Sequence, residues 1–180
     1  MRITKENTVG LVVDIQERLL PAMAEQESFL HHTKILIEGM QILGLPLLAT
    51  QQYTKGLGET VKEISLIIKD FSPIEKRDFS CCDELAVADQ LKVRAAKNVI
   101  ICGIESHVCV LQTAIDLKEA GYNPIVVMDC VTSRHLDNVD LAAERFRYED
   151  ILMTSCESLL FELTRSSAAD EFKAISKLVK

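Results

Sequence analysis

Asn98-Val-Ile-Ile-Cys-Gly-Ile-Glu-Ser-His-Val-Cys109 decides the fold. Residues 98–103 read as a strand that is apolar on both faces, the pattern of a strand inside a parallel sheet. Gly103 then leads without a linker into a helical pattern over 106–120, closed by Gly121. Outward from this unit the same alternation recurs. Further strands are expected at Thr8–Val13, 45–50, Ile74–Lys76, 124–128 and 151–154. Helices are expected at 28–43, in part of 59–69, and at 83–94, 138–147, 157–163 and 168–178, while 51–59 reads as a polar loop with two glycines. No repeat or Pro/Gly/Ser linker interrupts the series. The expectation is one three-layer α/β/α domain over residues 1–180, with a parallel sheet covered on both faces. Ligands in such sheets bind beyond the carboxyl ends of the strands, so polar residues there are the candidates for chemistry.

Composition narrows the function classes. The 180 residues are 48% hydrophobic and 26% charged, as in an ordinary globular protein. A net charge of −7 argues against nucleic acid or an anionic membrane as partner. No apolar run is long enough to span a bilayer, and the start shows no signal-peptide core, so a cytoplasmic protein is expected. The six cysteines include no C-x-x-C and are expected to be reduced thiols. No phosphate loop or G-x-G-x-x-G is present, and no two histidines have metal-ligand spacing, so neither cofactor nor metal is expected.

Cys109 falls in the first turn of its helix. Free backbone N–H groups and partial positive charge at a helix start favour a thiolate and could also hold an oxyanion. Free cysteines are more often small buried hydrophobes. Here Val110, Leu111, Ala114, Ile115 and Leu117 form the apolar stripe, and Cys109 falls on the other side with Gln112 and Asp116. Ser106 as N-cap would place Cys109 at the third helical position. These grounds serve a nucleophile and an inert thiol equally. Asp14, ending the first strand, reads either as a turn carboxylate or as a general base. Lys76 reads either as a solvated charge or as a cation supporting a thiolate. His107 is near Cys109 in sequence, but the two do not share a helix face. Cys102 reads as core, Cys81 and Cys82 as pocket or packing residues, and Cys130 and Cys156 carry no assignment.

Three segments together resemble the isochorismatase-like cysteine hydrolases, across nearly the whole chain. Leu11-Val-Val-Asp14-Ile-Gln16 is similar to the family's first strand, with its catalytic Asp and following Gln. Lys76-Arg-Asp-Phe79-Ser80 is similar to the segment bearing the catalytic Lys. Gly103-Ile-Glu-Ser-His-Val-Cys109-Val-Leu-Gln-Thr-Ala114 is similar to the nucleophile segment and is the most specific of the three. The resemblance implies a six-stranded parallel sheet in the order 3-2-1-4-5-6. It implies Asp14 as base, Lys76 as supporting cation and Cys109 as nucleophile. It implies a cis peptide between Ile104 and Glu105, and an oxyanion hole from the N–H groups of Glu105 and Cys109. Gln16, Tyr53, Phe79 and His107 are the expected substrate contacts. A homo-oligomer is expected, acting on a small-molecule substrate. Nicotinamidases of this superfamily carry an Asp-x-His metal site after the second strand. This chain has Gln51-Gln52-Tyr53 there, so the resemblance points to the metal-free isochorismatase-domain branch. Retention of Cys109 favours acyl chemistry on an amide. The alternative is a catalytically silent oligomeric scaffold of the same fold.

Overall fold

The computed structural model describes residues 2–180. Six strands, β1 (Thr8–Val13), β2 (Leu47–Gln52), β3 (Ile74–Lys76), β4 (Asn98–Ile104), β5 (Asn123–Thr132) and β6 (Leu152–Thr154), form one sheet. Their order is β3-β2-β1-β4-β5-β6 and every pairing is parallel. The α-helices are α1 (Gln26–Ile42), α2 (Thr54–Leu57), α3 (Lys62–Ser65), α4 (Leu85–Val93), α5 (Leu111–Glu119), α6 (Leu136–Tyr148), α7 (Cys156–Thr164) and α8 (Phe172–Leu178).

Period-two alternation along the central strands divides the core into two layers. Val12, Ile100, Cys102, Ile125 and Val127 pack with Leu36, Ile37 and Met40 of α1 and Leu159 and Leu160 of α7. Val9, Leu11, Val13, Val99, Ile101 and Val126 pack on the other side, with Leu91 of α4, Leu117 of α5 and Phe146 of α6. The expected three layers and strand order are therefore present. Strand order reverses between β1 and β4, which places the crevice at their carboxyl ends. Gly103 is needed at that point. Its φ is +128°, and a Cβ there would lie 2.1 Å from the Val13 carbonyl oxygen.

The differences from expectation have local causes. β2 starts and ends two residues later than the expected 45–50, and it takes in Gln51 and Gln52 because the Gln51 side chain accepts the Thr60 N–H and the Gln52 backbone N–H is accepted by Gln16 inside the fold. β5 continues past residue 128 through an irregularity in its pairing with β4. Asp129 is accommodated there by accepting the backbone N–H of Cys156 at 2.8 Å. The segment expected to be helical within 59–69 keeps one turn, α3. The helix expected from 106 begins instead with a π-type turn, Ser106–Val110, whose N-cap is Glu105. Ser106 does not cap it, since its hydroxyl meets Ser133 Oγ at 2.5 Å. Cys109 is accordingly the fourth residue of the turn, not the third.

Candidate active site

The site is assembled from four strand ends. Asp14 follows β1 in the left-handed region, φ +51°, a conformation that Asp tolerates better than most residues. Its side chain is fully buried, as is that of Lys76 at the end of β3, and Lys76 Nζ lies 2.7 Å from Asp14 Oδ2. A solvated reading of Lys76 is thereby excluded. Burial of the pair takes two ions out of water, a cost offset only with good geometry and further hydrogen bonds. Those bonds are present. Lys76 Nζ donates at 3.0 Å to Gln52 Oε1 and to the carbonyls of Asp78 and Phe79. An ammonium has three N–H groups, all occupied by these acceptors. Asp14 Oδ2 is therefore ion-paired yet receives no well-directed hydrogen bond. Asp14 Oδ1 accepts the Thr50 hydroxyl at 2.8 Å.

Cys109 is buried, and its thiol donates to Gln52 Oε1 at 3.2 Å. Gln52 Oε1 thus joins the thiol to the ammonium. Gln52 is itself pinned by Gln16, whose Oε1 accepts the Gln52 N–H at 2.7 Å and whose Nε2 donates to the Gln52 carbonyl at 3.0 Å and the Gly58 carbonyl at 2.7 Å. Gln16, expected among substrate contacts, instead uses both ends of its amide to hold the end of β2.

Proton affinities follow from this burial. Desolvation raises the Asp14 carboxyl above its ordinary value, opposed by the Lys76 charge beside it and by the Thr50 hydrogen bond. Desolvation pulls Lys76 down, but Asp14, Cys81 and Cys109 outweigh it and the net shift is upward, so Lys76 is an ammonium at neutral pH. The Cys109 thiol is pushed up to about 12, first by burial and then by the Asp14 charge, with Lys76 acting against both. Desolvation thus exceeds what the turn and Lys76 supply, and it favours the neutral thiol over the thiolate at rest.

The remaining candidates lie around this cluster. The Ile104–Glu105 peptide is cis, where the resemblance put it. Glu105 and Cys109 share the π-type turn, while the Glu105 carboxylate accepts Arg134 N–H at 3.0 Å and Nε at 3.2 Å. His107 Nδ1 meets Ser133 Oγ at 2.9 Å. Tyr53 is held by its surroundings. Its ring lies 4.3 Å below the Arg77 guanidinium, and a Cβ on Gly56 would come within 2.3 Å of it. The Phe79 side chain is about half exposed, while its carbonyl accepts from Lys76 Nζ. Gln52 and Thr50 were missed by sequence reasoning. Alternation along β2 was the available signal, since residues 50 and 52 share a face once the strand extends that far.

The isochorismatase domain model matches residues 8–157. The chain belongs to the isochorismatase family. This isochorismatase-family chain is 36% identical to the secreted isochorismatase effector Isc1 of Phytophthora sojae, over 99% of its own length and 87% of that protein's. The MAR1 ribonuclease structure from Caenorhabditis elegans is 35% identical and superposes with a TM-score of 0.93, covering 99% of this chain and 92% of that one. The Escherichia coli YcaC product, described as an octameric hydrolase of unknown specificity, shares the fold with a TM-score of 0.93 at 23% identity, covering 99% and 89%. No helix among the described residues of this isochorismatase-family chain is long and apolar enough to cross a membrane.

Proposed function

We propose that the chain is a cysteine hydrolase acting on a small amide or related acyl compound through a Cys109 thioester. The whole of residues 1–180 serves this one site. The observation that carries the reading is the buried Lys76–Asp14 pair, with the Cys109 thiol joined to it through Gln52. In the reaction Asp14 Oδ2 takes the Sγ proton and Sγ bonds to the substrate carbonyl carbon. The carbonyl electron pair moves onto oxygen, which the N–H groups of Glu105 and Cys109 receive. Collapse breaks the C–N bond, and the nitrogen leaves with the proton from Asp14. Water then attacks the thioester and gives a proton to Asp14. Cleavage of the C–S bond returns that proton to Sγ and frees the acid.

Lys76 offsets the Asp14 charge and favours the thiolate as it forms. Tyr53, Phe79 and His107 line the approach for a small-molecule substrate. A homo-oligomer is in keeping with the octameric description of YcaC. The six free thiols suit a reducing compartment such as the cytoplasm. The ribonuclease name of the C. elegans protein fits this chain less well, because a net charge of −7 works against a polyanionic substrate. A panel of small amides and activated esters, assayed with wild type and Cys109→Ser, tests the proposal. Turnover that vanishes in Cys109→Ser, with an acyl adduct mapped to Cys109 in the wild type, is the expected result. Acyl transfer that persists in Cys109→Ser would sink the nucleophile. Absence of any turnover across the panel would favour the scaffold.

A further inference from the structure

One oxygen of the Asp14 carboxylate is not open to substrate or thiol. Oδ1 is 2.8 Å from Thr50 Oγ1, and an ionised carboxylate only accepts, so the Thr50 hydroxyl is the donor. That hydroxyl has one hydrogen. Its second contact, Cys81 Sγ at 3.7 Å, must therefore run the other way, from the thiol to the hydroxyl oxygen. Cys81 is itself fixed, because its backbone N–H donates at 2.9 Å to Thr113 Oγ1 on α5. Cys81, Thr50 and Asp14 are all buried, so no water competes along the chain. With Asp14 ionised, the hydrogen bonds run in one sense: Cys81 S–H to Thr50 O–H to Asp14 Oδ1.

The torsion that turns a carboxylate about its last bond is broad, so burial alone does not fix which oxygen faces a neighbour. We propose that Thr50, backed by Cys81, is a positioning residue for the Asp14 base: by occupying Oδ1 it holds the carboxylate so that Oδ2 receives the Cys109 proton. This rests on the reading of Asp14 as the base. The titratable groups facing Asp14 are Lys76 at the end of β3, Cys109 in the π-type turn and Cys81 in the short turn before α4; Thr50 on β2 is neutral. Loss of the Thr50 bond removes a donor to the charged carboxylate, which raises its affinity for a proton and frees it to turn.

The test uses the full chain and p-nitrophenyl acetate as acyl donor, reading the rate of Cys109 acylation against pH. A parallel titration follows the carboxyl 13C signal of Asp14, assigned by its loss in Asp14→Asn. Thr50→Val should slow acylation about tenfold, a part of the roughly 10²–10⁴-fold that a general base supplies. It should also move both the acid limb and the carboxyl titration to higher pH, and Thr50→Ser should restore both. Cys81→Ala should shift them in the same direction by less. Wild-type profiles in Thr50→Val, with Asp14→Asn slowed, overturn the proposal and leave Asp14 as base. If Asp14→Asn acylates like wild type, the base reading fails and this proposal with it. Should Thr50→Val not fold, wild-type profiles in both Thr50→Ala and Cys81→Ala overturn it.

Discussion

Removing the charge of Lys76 alone should be among the most damaging single changes available. In Lys76→Met the Asp14 carboxylate would stay buried without its counter-ion 2.7 Å away, and the carbonyls of Asp78 and Phe79 would each lose an N–H donor. Breaking one side of a buried pair costs about 3–5 kcal/mol, because the remaining charge is left uncompensated. For a chain of this size each kcal/mol moves Tm by about 2–4 °C, so a fall of roughly 6–20 °C is expected. The double variant Asp14→Asn/Lys76→Met removes both charges and should recover most of the loss. The pH dependence has a definite sign. Asp14 already has a raised proton affinity in the folded chain, and losing Lys76 raises it further. The folded variant then binds a proton that the unfolded chain has released, so stability falls as pH rises from the ordinary carboxyl value to the raised one. Lys76→Met should therefore be least impaired in acid. Urea unfolding by circular dichroism from pH 4 to 8, for the wild type, both single variants and the double, measures the cycle. A single variant within 1 kcal/mol of wild type at pH 7 would refute this account of the pair. So would a double variant no more stable than Lys76→Met.

Further consequences follow from neighbouring contacts. With its thiol pushed up to about 12, Cys109 should react slowly with iodoacetamide at pH 7 and about tenfold faster per pH unit above it; peptide mapping that shows a plateau below pH 9 would contradict this. Gln52→Leu removes the acceptor that holds the Cys109 proton, so alkylation at pH 7 should quicken a few-fold, with a stability loss of about 1–3 kcal/mol because the buried Lys76 ammonium loses an acceptor too. A slower reaction in that variant would show that Gln52 does not favour the neutral thiol. Gly103→Ala would drive a methyl to 2.1 Å from the Val13 carbonyl and should cost more than about 4 kcal/mol or abolish folding; denaturation within 1 kcal/mol of wild type would disprove the close approach.

The legible part of this molecule was its apolar alternation. β1 at Thr8–Val13 coincides with the expected segment, because a run buried on both faces leaves few alternatives; β3 at Ile74–Lys76 coincides too, although Glu75 in its middle is exposed. Polar strand residues were harder. Gln51 and Gln52 look like loop residues until Thr60 and Gln16 are brought beside them, and only the tertiary fold does that. Asp129 ended the expected β5 for the same reason, since its partner is the backbone of Cys156, 27 residues on. Taken singly, Asp14 reads as well as a turn carboxylate as a base, and Lys76 as well as a solvated charge as a supporting cation. Their burial depends on β2 lying between β1 and β3, which local sequence does not state. The resemblance brought those two charges and Cys109 together in one site. It did not bring Gln52 or Thr50, which connect them.

The neutral state of Cys109 has a mechanistic consequence. Ionising a thiol of pKa about 12 into water at pH 7 takes roughly 7 kcal/mol, at about 1.4 kcal/mol per pH unit. Transfer to Asp14 is easier by the same amount for each unit that burial adds to the carboxyl. Desolvation therefore acts on both partners in opposite senses. It makes Cys109 a poorer acid and Asp14 a better base, and Lys76 beside them favours whichever of the two carries the negative charge. A site built this way keeps its thiol protonated toward chance electrophiles. It generates the thiolate only as a carbonyl arrives to take the charge, so selectivity resides in the coupling of proton transfer to attack and not in a standing thiolate.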